Sequence, residues 1–338
     1  MTVSKPLVSV IIPTYNGEKR ISRTLNSIIA QDYENIEIIL VDDVSTDNTV
    51  KVARDVLEKS GREFSIIQRT ENGRQSASRN TGLKAANGKY VIFFDHDDMA
   101  EKNFVSSLLN EIENKNADLV FCGFKRFSEE KNKFIKLRPV KLKTKFLFPE
   151  EYIKAWAEKK VSFTYIWICI FRKSFLDKNN IKFYERCYFG EDAEFMLKVV
   201  SASQKISFIR EENYIHTVNN EQQGNVNNFV RHGQNIYKQF YLSRLRIERY
   251  MRNRIKDEKL KTYMKNFYRV KTVVLYLSWC AKLGDRKNYD KFFSTVKRSK
   301  IFREFLLSSY KTLKYDMLLF PKSLMLVYCP KIFYWVYK

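Results

Sequence analysis

At 338 residues, with 44% hydrophobic and 15% aromatic content, the chain has the apolar surface of a packed globular protein and room for one large domain or two ordinary ones. That composition excludes an intrinsically disordered chain, which cannot bury enough surface to offset ordering entropy. The formal charge of +23 is unevenly spread: residues 231–338 hold 26 Lys and Arg against 7 Asp and Glu. A basic last third favours an anionic partner, whether nucleic acid, a membrane surface or an acidic polymer, although a solvated Lys-rich helical surface accounts for part of the charge. Cys122, Cys169, Cys187, Cys280 and Cys329 are odd in number and form no Cys-x-x-Cys pair. They fit small buried thiols in a reducing compartment better than disulfides or a zinc site. Residues 1–6 carry no apolar signal segment, and no run reaches the roughly 18 apolar residues that a bilayer span needs. The nearest, residues 317–337, is broken by Pro321, Lys322, Pro330 and Lys331. The expectation is a cytoplasmic protein that touches a membrane without crossing it.

In chain order, Val8–Ile12 reads as a strand buried on both faces, stopped by Pro13. A helix over 22–30 carries Leu25, Ile28 and Ile29 at helical spacing. Residues 36–41 form a second strand ending at Asp42-Asp43, and Thr46-Asp47-Asn48 offers N-cap chemistry for a helix through Leu57. A strand over 64–68, a helix over 75–86 and a strand over 90–94 follow, the last running into Asp95-His96-Asp97-Asp98. A helix over 104–114 and a strand over 119–127 continue the alternation. This order predicts an α/β fold with a Rossmann-like, mostly parallel sheet. Residues 128–190 mix basic loops with aromatic segments, and from about 227 the chain turns to basic, aromatic-studded helical sequence.

Ligands of such sheets bind beyond the carboxyl ends of the strands. Three of the first four strand ends here carry polar or charged groups: Thr14-Tyr15-Asn16, Asp42-Asp43 and Asp95-His96-Asp97-Asp98. Clustered carboxylates at a strand end suit a hard cation such as Mn2+ or Mg2+, which binds through one or two carboxylates and substrate phosphates. An isolated Asp-x-Asp is more often a solvated turn. This one follows a Val-Ile-Phe-Phe strand and faces other polar strand ends.

The segments Val8-Ser-Val-Ile-Ile-Pro-Thr-Tyr-Asn16, Val41-Asp-Asp-Val-Ser-Thr-Asp-Asn-Thr49, Ser78-Arg-Asn-Thr-Gly82 and Gly88-Lys-Tyr-Val-Ile-Phe-Phe-Asp-His-Asp-Asp98 resemble family 2 glycosyltransferases of the A-type fold. Glu191-Asp192 and Tyr214-Ile-His216 match weaker downstream motifs. The resemblance covers about residues 7–217 and implies a catalytic domain over 1–226, with 227–338 as a basic helical region for docking a membrane surface or an acceptor. It implies that Pro13, Thr14, Tyr15, Asn16 and Glu18 line a nucleotide pocket and that Asp43 reads the base, typically uracil. Arg74 and Arg79 become candidates for nucleotide or diphosphate contacts, or for bracing the carboxylates, with Asn80 beside them. Asp95 and His96 fall near the ribose, and Asp97 and His216 become metal ligands, with Asp98 orienting the loop.

By the same resemblance, Asp192 is the general base for an acceptor hydroxyl in an inverting transfer; its alternative is a helix cap. Trp167 is either an acceptor-stacking ring or a buried aromatic. The implied activity moves a hexose or N-acetylhexosamine from a UDP-sugar to a lipid-linked or cell-surface glycan. A teichoic-acid-like anionic polymer is the alternative acceptor, and a non-catalytic binding module the alternative class. An anionic membrane surface is the expected partner of the basic third, with nucleic acid set aside.

Overall fold

The computed structural model describes residues 5–135, 146–147, 150–152, 165–185 and 190–218, and beyond these 242–243, 245–258, 261–262, 277, 280–281 and 284–298. The chain divides into two compact units; the described residues through Val218 belong to the first and those from Leu242 onward to the second. The 226/227 boundary lies outside the described residues, as do Cys187, Cys329 and the apolar stretch 317–337. Cys122, Cys169 and Cys280 are buried.

Strands β1 (Val8–Thr14) and β2 (Ile36–Asp42) are buried at every position, because both of their faces are covered. β3 (Glu63–Gln68) lies at the sheet edge and alternates between exposed and half-buried residues over most of its length. Together with β4 (Tyr90–Phe93) these strands form a parallel group in the order β3-β2-β1-β4. Helices α1 (Ile21–Ile29), α2 (Thr49–Leu57) and α3 (Arg74–Ala85) make the crossovers between them. Every boundary falls within one or two residues of the sequence reading.

Beyond β4 the sheet becomes mixed. The short β5 (Met99–Ala100) follows the acidic loop, and α4 (Phe104–Lys115) leads to β6 (Leu119–Ser128), which turns back as β7 (Lys133–Ile135). β8 is Phe146–Leu147, and β9 (Cys169–Arg172) is antiparallel to both β4 and β6. After α5 (Lys173–Lys178) and α6 (Glu191–Ala202), the long β10 (Ile206–Val218) runs parallel to β6, with register breaks between Phe208 and Tyr214. The full order is β3-β2-β1-β4-β9-β6-β10-β5. The mostly parallel expectation therefore describes the first half, and the rest is mixed, with β6 and β10 parallel and β5, β7, β8 and β9 antiparallel to their neighbours.

An aromatic core joins the halves. Phe93 meets Phe183 edge-on at 5.2 Å and Phe195 at 5.6 Å, and Phe183 stacks on Phe195 at 4.1 Å. Such rings are attracted by geometry as well as by buried area. Their packing seats α6 beneath the end of β4, which sets where Asp192 stands. In the second unit α7 (Arg286–Arg298) buries Tyr289, and no described helix is long and apolar enough to cross a membrane.

Candidate active site

The loops after β1 and β2 are stitched to one another. Asn16 N–H donates to Ser45 Oγ at 2.9 Å, and Thr46 N–H returns a bond to Asn16 Oδ1 at 2.9 Å. Gly17 N–H reaches Thr49 Oγ1 at 2.7 Å, and Glu18 takes the Asn48 N–H and side-chain amide at 3.1 and 2.9 Å. Asn48 therefore spends its side chain on Glu18, while Asp47 accepts the Thr49 N–H at 3.0 Å at the start of α2. Of the expected pocket residues, Pro13 and Thr14 are buried within β1, Tyr15 and Asn16 are exposed and Glu18 is half-buried. Thr14 Oγ1 is buried without a partner among the described residues. Asp43 is nearly fully buried. Its oxygens accept the Gly73 N–H at 3.0 Å and the Arg74 N–H at 2.6 Å, and Arg69 Nε lies 3.0 Å away. Arg74 is exposed, at φ +63.

The acidic loop is fastened from behind by α1. Thr24 Oγ1 lies 2.8 Å from both the His96 and Asp98 carbonyls, and Arg23 donates to the Asp97 carbonyl at 3.0 Å. A Cβ on Gly17 would fall 2.7 Å from the His96 ring, so only glycine lets that ring sit where it does. Asp98 is fully buried and accepts from Tyr214 Oη and the Thr217 N–H, each at 2.7 Å, with His216 Nδ1 at 3.3 Å. Burial raises its pKa to about 6, with Asp97 and Asp95 adding to the rise and the His216 hydrogen bond opposing it. Burial pulls His216 down, but the bond to Asp98 more than offsets this and holds the imidazole above its usual value. Asp98 thus ties the acidic loop to β10.

Arg79 is the centre of the second half. Its side chain is 1% exposed, and it donates to Asp192 Oδ1 at 2.8 Å and to Asp95 Oδ1 at 2.9 Å. Of the roles open to it, bracing the carboxylates is the one the geometry supports. Asn80 holds the approach to α6: its amide donates to the Phe183 carbonyl and to Glu185, each at 2.9 Å, and its oxygen accepts the Phe183 N–H at 2.9 Å. These bonds turn the Asn80 side chain toward residues 183–185. Gly190, at φ +80, makes the left-handed turn that starts α6. Burial pushes the Asp192 carboxyl up to about 7, with Glu191 and Asp95 adding to the rise and Arg79 opposing it. A carboxyl poised there accepts a proton readily near neutral pH.

Trp167 is 5% exposed and stacks on Tyr165, Tyr214 and His216 at 4.6, 4.6 and 5.1 Å. The buried-aromatic reading of Trp167 therefore holds. Its ring forms the wall behind His216. Among the described residues no three His, Cys, Asp or Glu side chains are grouped to hold an ion by themselves. Sequence reasoning missed Arg69, Arg23 and Thr24. Arg69 was within reach, since it follows β3 at the same end of the sheet as the other polar groups. Arg23 and Thr24 carry no local signal, because they act on carbonyls more than 70 positions away.

The model of the family described as glycosyl transferase family 2 matches residues 9–179. EpsJ, a glycosyltransferase of Bacillus subtilis, is 32% identical over 216 residues, which are 63% of this chain and 62% of EpsJ. The poly(ribitol-phosphate) beta-N-acetylglucosaminyltransferase TarS of Staphylococcus aureus is 29% identical over 221 residues, covering 63% of this chain and 36% of TarS. The chain thus aligns with less than two thirds of either relative's length. The crystal structure of S. aureus TarS 1–349 in complex with UDP superposes with a TM-score of 0.68 at 22% identity, over 94% of this chain and 86% of that one. That likeness fixes the fold as the A-type glycosyltransferase fold. With the strand-end motifs in place and the family model spanning half the sequence, the chain belongs to the family 2 glycosyltransferases.

Proposed function

We propose that the protein transfers a hexose or N-acetylhexosamine from a UDP-sugar to a hydroxyl of a cell-surface or lipid-linked glycan, with inversion at the anomeric carbon. The observation that carries this reading is the buried Arg79 holding Asp95 and Asp192 together, which keeps beside the acidic loop a carboxyl that burial, against the pull of Arg79, raises to about 7. In this reading Tyr15, Asn16, Glu18 and Arg74 border the nucleotide, over a floor of Pro13 and Thr14. Asp43 keeps one lone pair on Oδ2 for a base imide N–H, since each carboxylate oxygen accepts two bonds. Asp95 and His96 stand toward the ribose.

Asp97 and His216 would hold Mn2+ or Mg2+. The donor set fits: His216 Nδ1 faces Asp98, which leaves Nε2 for an ion. Two protein ligands would suit a hard cation, which would leave its remaining positions to water and the donor diphosphate. When bound, the ion supplies positive charge where the departing diphosphate gains negative charge. Asp192 takes the acceptor proton as that oxygen attacks the anomeric carbon, and the Arg79 guanidinium stays as counter-ion to the carboxylate that awaits it. A single displacement turns an α-linked donor into a β-linked product.

The relatives favour an anionic polymer as a second acceptor reading. TarS carries poly(ribitol-phosphate) in its name, and the basic last third of this chain offers charge for such a polymer or for the inner face of a cell membrane. In this reading residues 1–226 are catalytic and 227–338 dock the acceptor or membrane. The deciding experiment is UDP release from a panel of UDP-sugars with Mn2+ or Mg2+, alone and with polyribitol phosphate. Release by the native chain, abolished in Asp97→Ala and Asp192→Ala, is the expected result. No release with any donor, or release untouched by both substitutions, sinks the enzymatic reading.

A further inference from the structure

Glu129 lies one residue beyond the end of β6, where no motif falls. Two segments, α1 with its N-cap and β10, nevertheless converge on it. Arg20 Nε reaches its Oε2 at 3.1 Å, and Arg23 Nη2 reaches its Oε1 at 2.8 Å. The same Arg23 Nη2 also donates to the Asp97 carbonyl at 3.0 Å. The Glu129 N–H donates to the Val218 carbonyl at 3.1 Å, two residues past His216 on β10. One residue is thus linked through Arg23 to the backbone of Asp97 and directly to the strand that carries His216.

We propose that Glu129, acting through Arg23, is a positioning residue that sets the spacing of Asp97 and His216 for the divalent cation. The proposal rests on the metal reading given above and names the chain's own support for that site.

The group is not an ordinary surface ion pair. Its side chains are 19%, 33% and 22% exposed for Arg20, Arg23 and Glu129, so they are screened less than free surface charges. Arg23 Nε is buried with no acceptor among the described residues, an arrangement poorly explained by stability alone. Three consecutive carbonyls of the loop are held by α1: His96 and Asp98 by Thr24, and Asp97 by Arg23. That leaves the loop backbone one place to stand, and the Asp97 side chain starts from it. Asp98 ties loop to strand on the buried side through Tyr214 and Thr217, and Glu129 makes a second tie through α1. Partners of this outer kind change metal affinity about 10- to 100-fold when removed.

The test uses the full chain, with UDP and Mn2+ as probes and calorimetry as readout. UDP binding is measured in EDTA and across a Mn2+ titration for the native chain, Glu129→Gln, Glu129→Ala and the control Glu130→Ala, which removes a neighbouring exposed carboxylate. For Glu129→Ala, the Mn2+ concentration giving half the metal-dependent gain in UDP affinity is expected to rise about tenfold. Affinity in EDTA should stay within about twofold, with a smaller Mn2+ shift in Glu129→Gln and none in Glu130→Ala. A lowered Tm with an unchanged Mn2+ midpoint overturns the proposal, since Glu129 is then merely structural. Equal loss of affinity with and without Mn2+ overturns it too. If the native chain gains no UDP affinity from Mn2+, the metal reading itself falls and this inference falls with it.

Discussion

The loops around Asp43 and the helix that carries Asp192 are held by different means. After β1 and β2, a run of hydrogen bonds joins residues about thirty positions apart, and no one of them dominates. Asp192 instead depends on one buried arginine 113 positions earlier and on Asn80, which pins Phe183. A distributed network loses little when one member is removed, because the neighbouring bonds keep the backbone in place. A single buried charge shared by two carboxylates has no such reserve. The two sides should therefore respond very differently to substitution.

The largest effects belong to the Asp192 side. Asp192→Asn keeps the shape but cannot take a proton, and kcat is expected to fall about 10²- to 10⁴-fold. UDP affinity, read by calorimetry, should remain near native. A kcat within threefold of native would remove Asp192 from the chemistry and leave it only as a partner for Arg79. Arg79→Met strips the shared charge and strands Asp95 and Asp192 in a poorly solvated place. The expected cost is about 3–5 kcal/mol in urea unfolding, as for other buried pairs broken on one side. By contrast, Asn16→Ala should cost about 1–2 kcal/mol, since it removes only the bonds accepted from Thr46 in a redundant set and places alanine at φ +48. Equal losses for the two variants would erase the distinction between the sides.

The pH response sharpens the same contrast. With its carboxyl raised to about 7, Asp192 is mostly protonated at pH 5.5, so kcat should climb with pH and level off above about 7. Stability runs the other way. The folded state binds a proton that the unfolded chain, at its ordinary carboxylate value, has already released. This contribution is fully present below about pH 4 and is lost as pH rises through about 7. Asp98, raised to about 6, adds a loss of the same sign. Urea midpoints measured at pH 5 and pH 8 should show a smaller decline in Asp192→Asn than in the native chain. An unchanged decline would place the titration elsewhere.

What was legible in the sequence follows the same division. β1 to β4 and their helices could be read because their signals are local: buried β-branched runs, and polar groups at the strand ends. Asp43, Asp97 and Asp192 stood out within motifs. Arg79 was visible with bracing the carboxylates among its candidate roles, but the choice between them was not, because it turns on a contact with Asp192 across more than a hundred positions. β9 was missed for a similar reason. Its four residues lie in an aromatic stretch with no period of their own, and they become a strand only by pairing between β4 and β6. Trp167 was ambiguous until its stacks with Tyr165, Tyr214 and His216 showed it buried.

The smallest expected effect probes the Asp43 side directly. Val44 follows Asp43 at φ +67, a conformation that β-branched residues almost never adopt, and its side chain is 37% exposed. Asn16 at φ +48 and Arg74 at φ +63 border the same loops. Strain of this kind persists only where the surroundings over-determine the backbone. Here Ser45 N–H binds Asp42 at 3.1 Å on one side of Val44, and Asp43 is locked to Gly73 and Arg74 on the other. Val44→Gly relieves about 1–3 kcal/mol of strain. It also adds about 0.5–1 kcal/mol of unfolded-state entropy against folding. The balance favours the variant, so thermal unfolding should shift upward by about 1 kcal/mol. If the hydrogen bonds alone hold the loop, UDP affinity will not change; if the rigid Val44 backbone also holds Asp43 in place, affinity will fall while stability rises. A lower Tm would mean that the stitched loops relax around Val44 without strain, and that this side of the site is softer than its hydrogen bonds imply.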